Sequence, residues 1–386
     1  MLSVTVVSSE FCDWYADNVY CIICDCISHV TAQIPFALGE IIMFIGAFML
    51  VFSVILLFFL LFLRKKESYR NFCKAYFKTF IKGLLVVVLI YVPTWFIPFC
   101  GTVLGRGNTE LRTEYSYDEI YDLMIYIVEQ GNAAAEEIYI AEDGSVDFPT
   151  AEERLPKITE AMQALGSEYG RLTGYYPPVK EALCSDILER MGIGGYNYPY
   201  TMEPTHNRYM SPLWSSVLDA HELAHHKGYY KENEANFLSQ LALIRSDDPY
   251  LKLAAAFDMY DYVSEDYYKT RDKEIERLQA EGKIGEIPEL KNKEELLQFA
   301  EILGAILGPE PEFSKRVWQI YNAGEQIEQQ IYEEDTHVID ELPAVDEVIH
   351  TTADKGWEMQ AEILQDNCYD GVTLLLLQYF YGTDSR

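Results

Sequence analysis

The sequence predicts a mainly α-helical chain with a small extended or β element, built as a two-helix transmembrane hairpin followed by a large α+β domain outside the cytoplasm. Three observations predict it: two long uncharged apolar runs, a basic segment between them, and helical periodicity beyond residue 105 that one Gly-, Pro- and Tyr-rich block interrupts. With 386 residues, 49% of them hydrophobic, the chain is long enough to bury the core of one or two ordinary domains.

The hairpin comes first. Residues 41–63 (IIMFIGAFMLVFSVILLFFLLFL) and 83–105 (GLLVVVLIYVPTWFIPFCGTVLG) contain no charged side chain, and each run is long enough to cross the hydrocarbon core of a bilayer. Orientation follows from charge. The segment 64–82 carries Arg64, Lys65, Lys66, Arg70, Lys74, Lys78 and Lys82 against the single acid Glu67, whereas residues 1–40 have no Lys or Arg. Basic loops stay on the cytoplasmic side, so 64–82 is expected there, with 1–40 as a short extracytoplasmic segment and 106–386 as the extracytoplasmic domain of a two-span cell-membrane protein. The start, MLSVTVVSSEF, lacks the basic and apolar regions of a signal peptide.

The formal net charge of −31 excludes nucleic acid as an expected partner, because an anionic surface repels phosphate and gains nothing from counterion release. The lipid bilayer is an expected partner. Of eight cysteines only Cys184 and Cys368 fall in the large domain, which rules out a disulfide scaffold there. The run CIICDCISH, Cys21 to His29, lies close before the first span, lacks a second ligand pair and is read as an apolar helix face.

Within the large domain, SYDEIYDLMIYIVEQ from Ser116 has apolar residues at helical spacing, and TAEERLPKITEAMQAL opens on Thr150 with the Thr-x-x-Glu pattern of a capping box. GIGGYNYPYTMEPTHNRYMSP, 192–212, reads as extended chain and turns. Helices resume at Trp214. A charged stretch from Arg271 to Glu295 is expected to be a surface helix and connector, and the acidic YEEDTHVIDELPAVDEVIHTTADKG a loop or lid insertion.

The segment that carries chemistry is HELAHHKGYYKENEANF, His221 to Phe237. On a helix, His221 and His225 present their imidazoles on one face a turn apart, the spacing that chelates one small cation. Glu222 is offset by about 100°, so its carboxylate can reach a water on the metal without competing for the metal. Zinc lowers the pKa of such a water toward ~7, and Glu222 is the expected catalytic base. From this composition His-acid-x-x-His is expected by chance roughly 0.02 times per chain. Gly228 breaks the helix and lets a third ligand swing round. Glu232 is the expected third ligand, with Asn236 one turn further as its support. Glu234 is the competitor, but it projects nearly opposite Glu232 on a regular helix. His226 points off the ligand face.

His-Glu-x-x-His-x-x-Gly looks like the start of a metzincin signature, but Lys231 stands where the third metzincin histidine would be. The pattern is more similar to gluzincin-type sites, in which a Glu on a second helix completes the metal set. More specifically, the chain resembles the bacterial membrane-protein family of domain of unknown function 3810, through AQIPFALGE, GIGGYNYPYTMEPTHN, HELAHHKGYYKENEANF and YDGVTLLLLQYF. The resemblance implies a zincin-like domain and a zinc peptidase, without naming a substrate. The expected function is a membrane-anchored zinc metallopeptidase holding one Zn2+ per chain and cutting a peptide or protein outside the cytoplasm. The alternative is a catalytically silent metal- or peptide-binding scaffold or sensor. The segment Tyr196–His206 precedes the metal helix as a substrate-aligning edge strand does in zincins. Glu203 within it is a candidate to support a metal ligand or contact the substrate, with turn stabilisation as the competing role, and Tyr369 is a candidate oxyanion stabiliser.

Overall fold

The structure, a computed structural model, describes residues 8–106, 110–287, 293–335, 337–341, 343–364 and 371–382. The N-terminal segment is helical: α1 (Ser9–Tyr15) runs through a π-helical turn (Ala16–Tyr20) into α2 (Cys21–Thr31). It packs on the large domain. The Tyr20 hydroxyl donates to the His226 carbonyl at 2.9 Å, and Arg171 holds Asp17 at 2.6 Å. The hairpin is therefore an excursion from a folded body that includes the residues before it.

Helix α3 (Leu38–Leu63) and a second helix, α4 (Glu67–Tyr91) continued by a π-helical turn (Val92–Phe96) and α5 (Ile97–Phe99), are both long and apolar enough to cross a membrane. Their apolar side chains are largely exposed, Phe48 at 69% and Leu89 at 74%, which the buried core helix of a soluble domain would not show. The basic segment expected as a loop is mostly helix. The connection shrinks to Arg64–Lys66, and α4 starts at Glu67, because Tyr69, Cys73 and Tyr76 give it a face to lay on α3. Tyr76 donates to the Met49 carbonyl at 2.6 Å. Arg70, Lys74, Lys78 and Lys82 then recur every four residues and form one exposed stripe. The second apolar run also ends earlier than expected, the helix stopping at Phe99 before a 3₁₀ turn at Val103–Gly105.

The domain beyond is a helical stack with one small sheet. Helix α6 (Tyr117–Glu137) begins at a capping box on Ser116, and α7 (Ala151–Ala164) at one on Thr150. The short α8 (Ser185–Arg190) precedes α9 (Pro212–His226), α10 (Glu232–Ile244) and α11 (Pro249–Ala280). Helices α12 (Lys293–Leu307), α13 (Lys315–Glu334), α14 (Pro343–Leu364) and α15 (Val372–Tyr381) follow. The acidic stretch expected as a loop or lid is thus largely helix α14. The core lies where α6, α9, α10 and α11 meet, with Ile127, Leu241, Leu253 and Ala255 wholly enclosed.

Strands β1 (Lys180–Glu181), β2 (Gly195–Tyr198) and β3 (Glu203–His206) form a mixed sheet in the order β1-β3-β2. β3 runs parallel to β1 and antiparallel to β2, Gly195 facing His206 and Tyr198 facing Glu203. The expected edge strand is β2. β3 is central, and helix α9 packs across both.

Candidate metal centre

Helix α9 starts at Ser211, whose side chain caps the Trp214 amide, with Pro212 in the first turn. It ends where Gly228 takes a left-handed conformation, φ +85°. There the Tyr229 amide donates to the Ala224 carbonyl at 3.2 Å and the Gly228 amide to the His225 carbonyl at 2.9 Å. This glycine-terminated turn reverses the chain within four residues and delivers Glu232 as the first residue of α10. Gly228 is required twice, since a Cβ would also sit 2.9 Å from the Tyr20 ring.

The reversal brings His221, His225 and Glu232 together, one donor atom from each lying within 4.8 Å of the others. Glu232 Oε2 is 3.2 Å from His221 Nε2 and 3.6 Å from His225 Nε2. A tetrahedral ion with ligands at about 2.0–2.1 Å has its donor atoms roughly 3.3 Å apart, so the donor types and the two Glu232 separations fit zinc. The Nδ1 atom of His225 is paired with the Tyr229 carbonyl at 2.7 Å, which leaves Nε2 for the ion and fixes the ring. Burial pushes the His225 imidazole down, but Glu232 outweighs it and lifts the group to about 9. Burial likewise raises Glu232, and His225 with His221 overcome it and hold the carboxyl well below its usual range. Each group thus favours the charged form of the other.

Glu222 is 3% exposed, and its Oε2 has no hydrogen-bond partner. Burial raises its carboxyl to about 7 despite the opposing effects of His225 and His221. Gly195 on β2 lies against it, where a Cβ would come within 2.9 Å of Oε1. A buried, unpaired carboxylate oxygen beside three converging donors is a costly arrangement that a water between them would relieve.

The other expected residues fall as follows. Glu234 points away: its Oε1 accepts from the Leu104 amide at 2.7 Å, and Lys231 lies 3.7 Å off. Asn236 directs its amide nitrogen to the Tyr262 hydroxyl at 2.7 Å, tying α10 to α11. Glu203 clamps β3 to the start of the first span. It accepts from the Leu38 and Gly39 amides at 3.1 and 2.8 Å and from Lys180 at 2.5 Å, which caps the first span. His226 is wholly buried beside Cys24, and burial lowers its imidazole to about 3. Tyr369 lies outside the described residues.

Sequence reasoning missed the residues that surround the donors. The Tyr230 ring stacks on His225, centroids 5.9 Å apart and 13° between planes. Tyr196 of β2 lies within electrostatic reach of Glu222 and Glu232, and Asp258 of α11 within reach of His221. Asp219 pairs with His206 of β3 at 2.5 Å and Arg154 of α7 at 3.1 Å, which pins α9 to the sheet. Asp219 lies two residues before His221, the one local signal for this clamp. A cavity of about 650 Å³ lined by Cys21, Arg171, His226 and Lys227 lies behind α9 and touches none of the three donors.

A family model described as a protein of unknown function, DUF3810, matches residues 15–306. The chain belongs to the DUF3810 family. No curated protein and no solved structure matches it. The DUF3810 match takes in α2, both apolar helices, the sheet and the whole His221–Glu232 cluster. Helices α13 to α15 lie beyond it, including the acidic stretch read as an insertion and the C-terminal apolar segment.

Proposed function

We propose that this DUF3810 chain is a membrane-anchored zinc metallopeptidase with a zincin-like domain outside the cytoplasm. The observation that carries the reading is the unpaired Oε2 of Glu222 beside three converging donors, with Glu232 Oε2 lying 3.2 and 3.6 Å from the two Nε2 atoms. His221, His225 and Glu232 would hold the ion, which when bound polarises a carbonyl and acidifies a water. Glu222 would accept a proton from the attacking water and pass it to the amine released when the carbon–nitrogen bond breaks. The Tyr229 carbonyl keeps His225 in the tautomer that offers Nε2. Gly195, lacking a side chain, leaves room for Glu222, while the open edge of β2 offers backbone groups to an extended substrate.

The test is Glu222→Gln in the full chain purified in detergent. It keeps size and hydrogen bonding but removes the base, so zinc content and folding should be retained while peptide cleavage falls by ~10² or more. Cleavage unchanged in the zinc-loaded variant would end the hydrolytic reading in favour of a metal-binding scaffold.

A further inference from the structure

The outer ends of both apolar helices are built into the wall of the candidate centre. On α3 the covered part ends at Glu40, 0% exposed, whose carboxylate accepts from the Leu183 and Cys184 amides at 2.8 and 2.6 Å; from Ile42 onward most apolar side chains are exposed. On the second helix exposed apolar residues run to Val92, and Thr94 is already 1% exposed. These two positions mark where lipid contact gives way to protein. Tyr91, Trp95 and Phe99 stack along the helix there, with centroids 5.0 and 4.7 Å apart, the kind of aromatic anchor that sits at a membrane–water interface.

From that anchor the path to the centre is two rings long. Trp95 lies 6.2 Å from Tyr230, and Tyr230 lies 5.9 Å from the His225 ring, so His225 is at most about 12 Å from Trp95. The interfacial layer adds roughly 5–7 Å to each side of the hydrocarbon core, which puts the donors at or just above the headgroups. The edge strand is placed alike. Tyr91 lies within electrostatic reach of Tyr196 and Tyr200, Tyr196 reaches Glu222 and Glu232, and Tyr196 and Leu183 remain 46% and 50% exposed. Glu203 ties β3 to the first turn of α3 through the Leu38 and Gly39 amides. The sheet that would align a peptide therefore stands on the membrane anchor itself.

We propose that the substrate of this centre is a polypeptide already held at the bilayer surface by its own membrane anchor, cut close to that anchor; this rests on the peptidase reading. A chain lying along β2 would run at headgroup level, where an anchored segment is delivered by two-dimensional diffusion and a long soluble tail is not favoured.

The experiment uses the full chain reconstituted in phosphatidylcholine–phosphatidylglycerol vesicles, with one peptide sequence attached to a diacyl anchor through spacers of about 5 or about 40 residues at equal surface density. An extended spacer adds at most ~3.5 Å per residue, so the short form stays within reach of the headgroups and the long one ranges far above them. Cleavage should be at least tenfold faster with the short spacer; equal rates, or faster cleavage of the long form, would overturn the proposal. Independently of activity, a photoreactive benzophenone amino acid at position 196 should capture labelled lipid, while one at the exposed position 139 should not. Position 139 is 74% exposed and follows the last turn of α6, a 21-residue helix about 32 Å long. Equal capture at both positions would refute the placement. Lipid capture at 196 with no cleavage of any peptide would defeat the peptidase reading, and the substrate class with it, while leaving the placement in force.

Discussion

Exchanging the two neighbouring carboxylates one at a time separates ligand from scaffold. Residues 232 and 234 are about 200° apart on a helix, and the structure gives them different partners: Glu232 Oε2 faces His221 Nε2 at 3.2 Å, Glu234 Oε1 takes the Leu104 amide at 2.7 Å. Zinc bound by four protein ligands is worth about 10–16 kcal/mol, or roughly 3 kcal/mol per ligand, and each 1.4 kcal/mol is about tenfold. Glu232→Gln replaces an anionic ligand by a poor neutral one and should weaken zinc about 10²-fold. Glu234→Gln should change zinc affinity by less than about threefold. Its effect on stability should also be small, because burial raises the Glu234 carboxyl even though Lys231 opposes it; a neutral amide loses a charge-assisted hydrogen bond but no longer buries a charge. The assay is competition with a chromophoric chelator on detergent-purified full-length protein, with circular dichroism as the folding check. If Glu234→Gln lost the metal and Glu232→Gln kept it, the ligand assignment and the geometry behind it would both be wrong.

Gly228→Ala forces a side chain into a left-handed conformation, at roughly 1–2 kcal/mol, and against the Tyr20 ring; thermal melts should drop by several degrees, with weaker zinc as the Tyr229 carbonyl shifts, and an unchanged melt and affinity would contradict the turn. His221→Ala and His225→Ala should each remove most of about one zinc per chain by elemental analysis, and metal retained at wild-type level would mean other donors hold it. Cys24 is buried and desolvation raises its thiol to about 12, so mass-mapped alkylation of the native protein at pH 8 should mark the exposed Cys26 and spare Cys24 until denaturant is added; equal labelling would show that α2 does not pack as described. Reporters fused after Arg386 should behave as exported and those inserted at Lys65 as cytoplasmic, the reverse pattern relocating the centre to the other side.

Much of the architecture is local and so was readable from the sequence. The two apolar runs, the capping boxes at Ser116 and Thr150, and the His221–His225 spacing depend on residues within a turn or two of each other, where helical geometry alone fixes which face each side chain takes. The preference for Glu232 over Glu234 follows from the same geometry once Gly228 has reversed the chain. What tertiary structure decided depends on residues far apart in sequence. Glu203 reads as a site residue in its own segment, yet the amides of Leu38 and Gly39, some 165 positions earlier, recruit it as a cap. The residues 64–82 look like a charged loop until α3 supplies a surface for their apolar side chains. Tyr196 and Asp258 become neighbours of the donors only because β2 and α11 converge on the end of α9, and no periodicity within any of the three encodes that meeting.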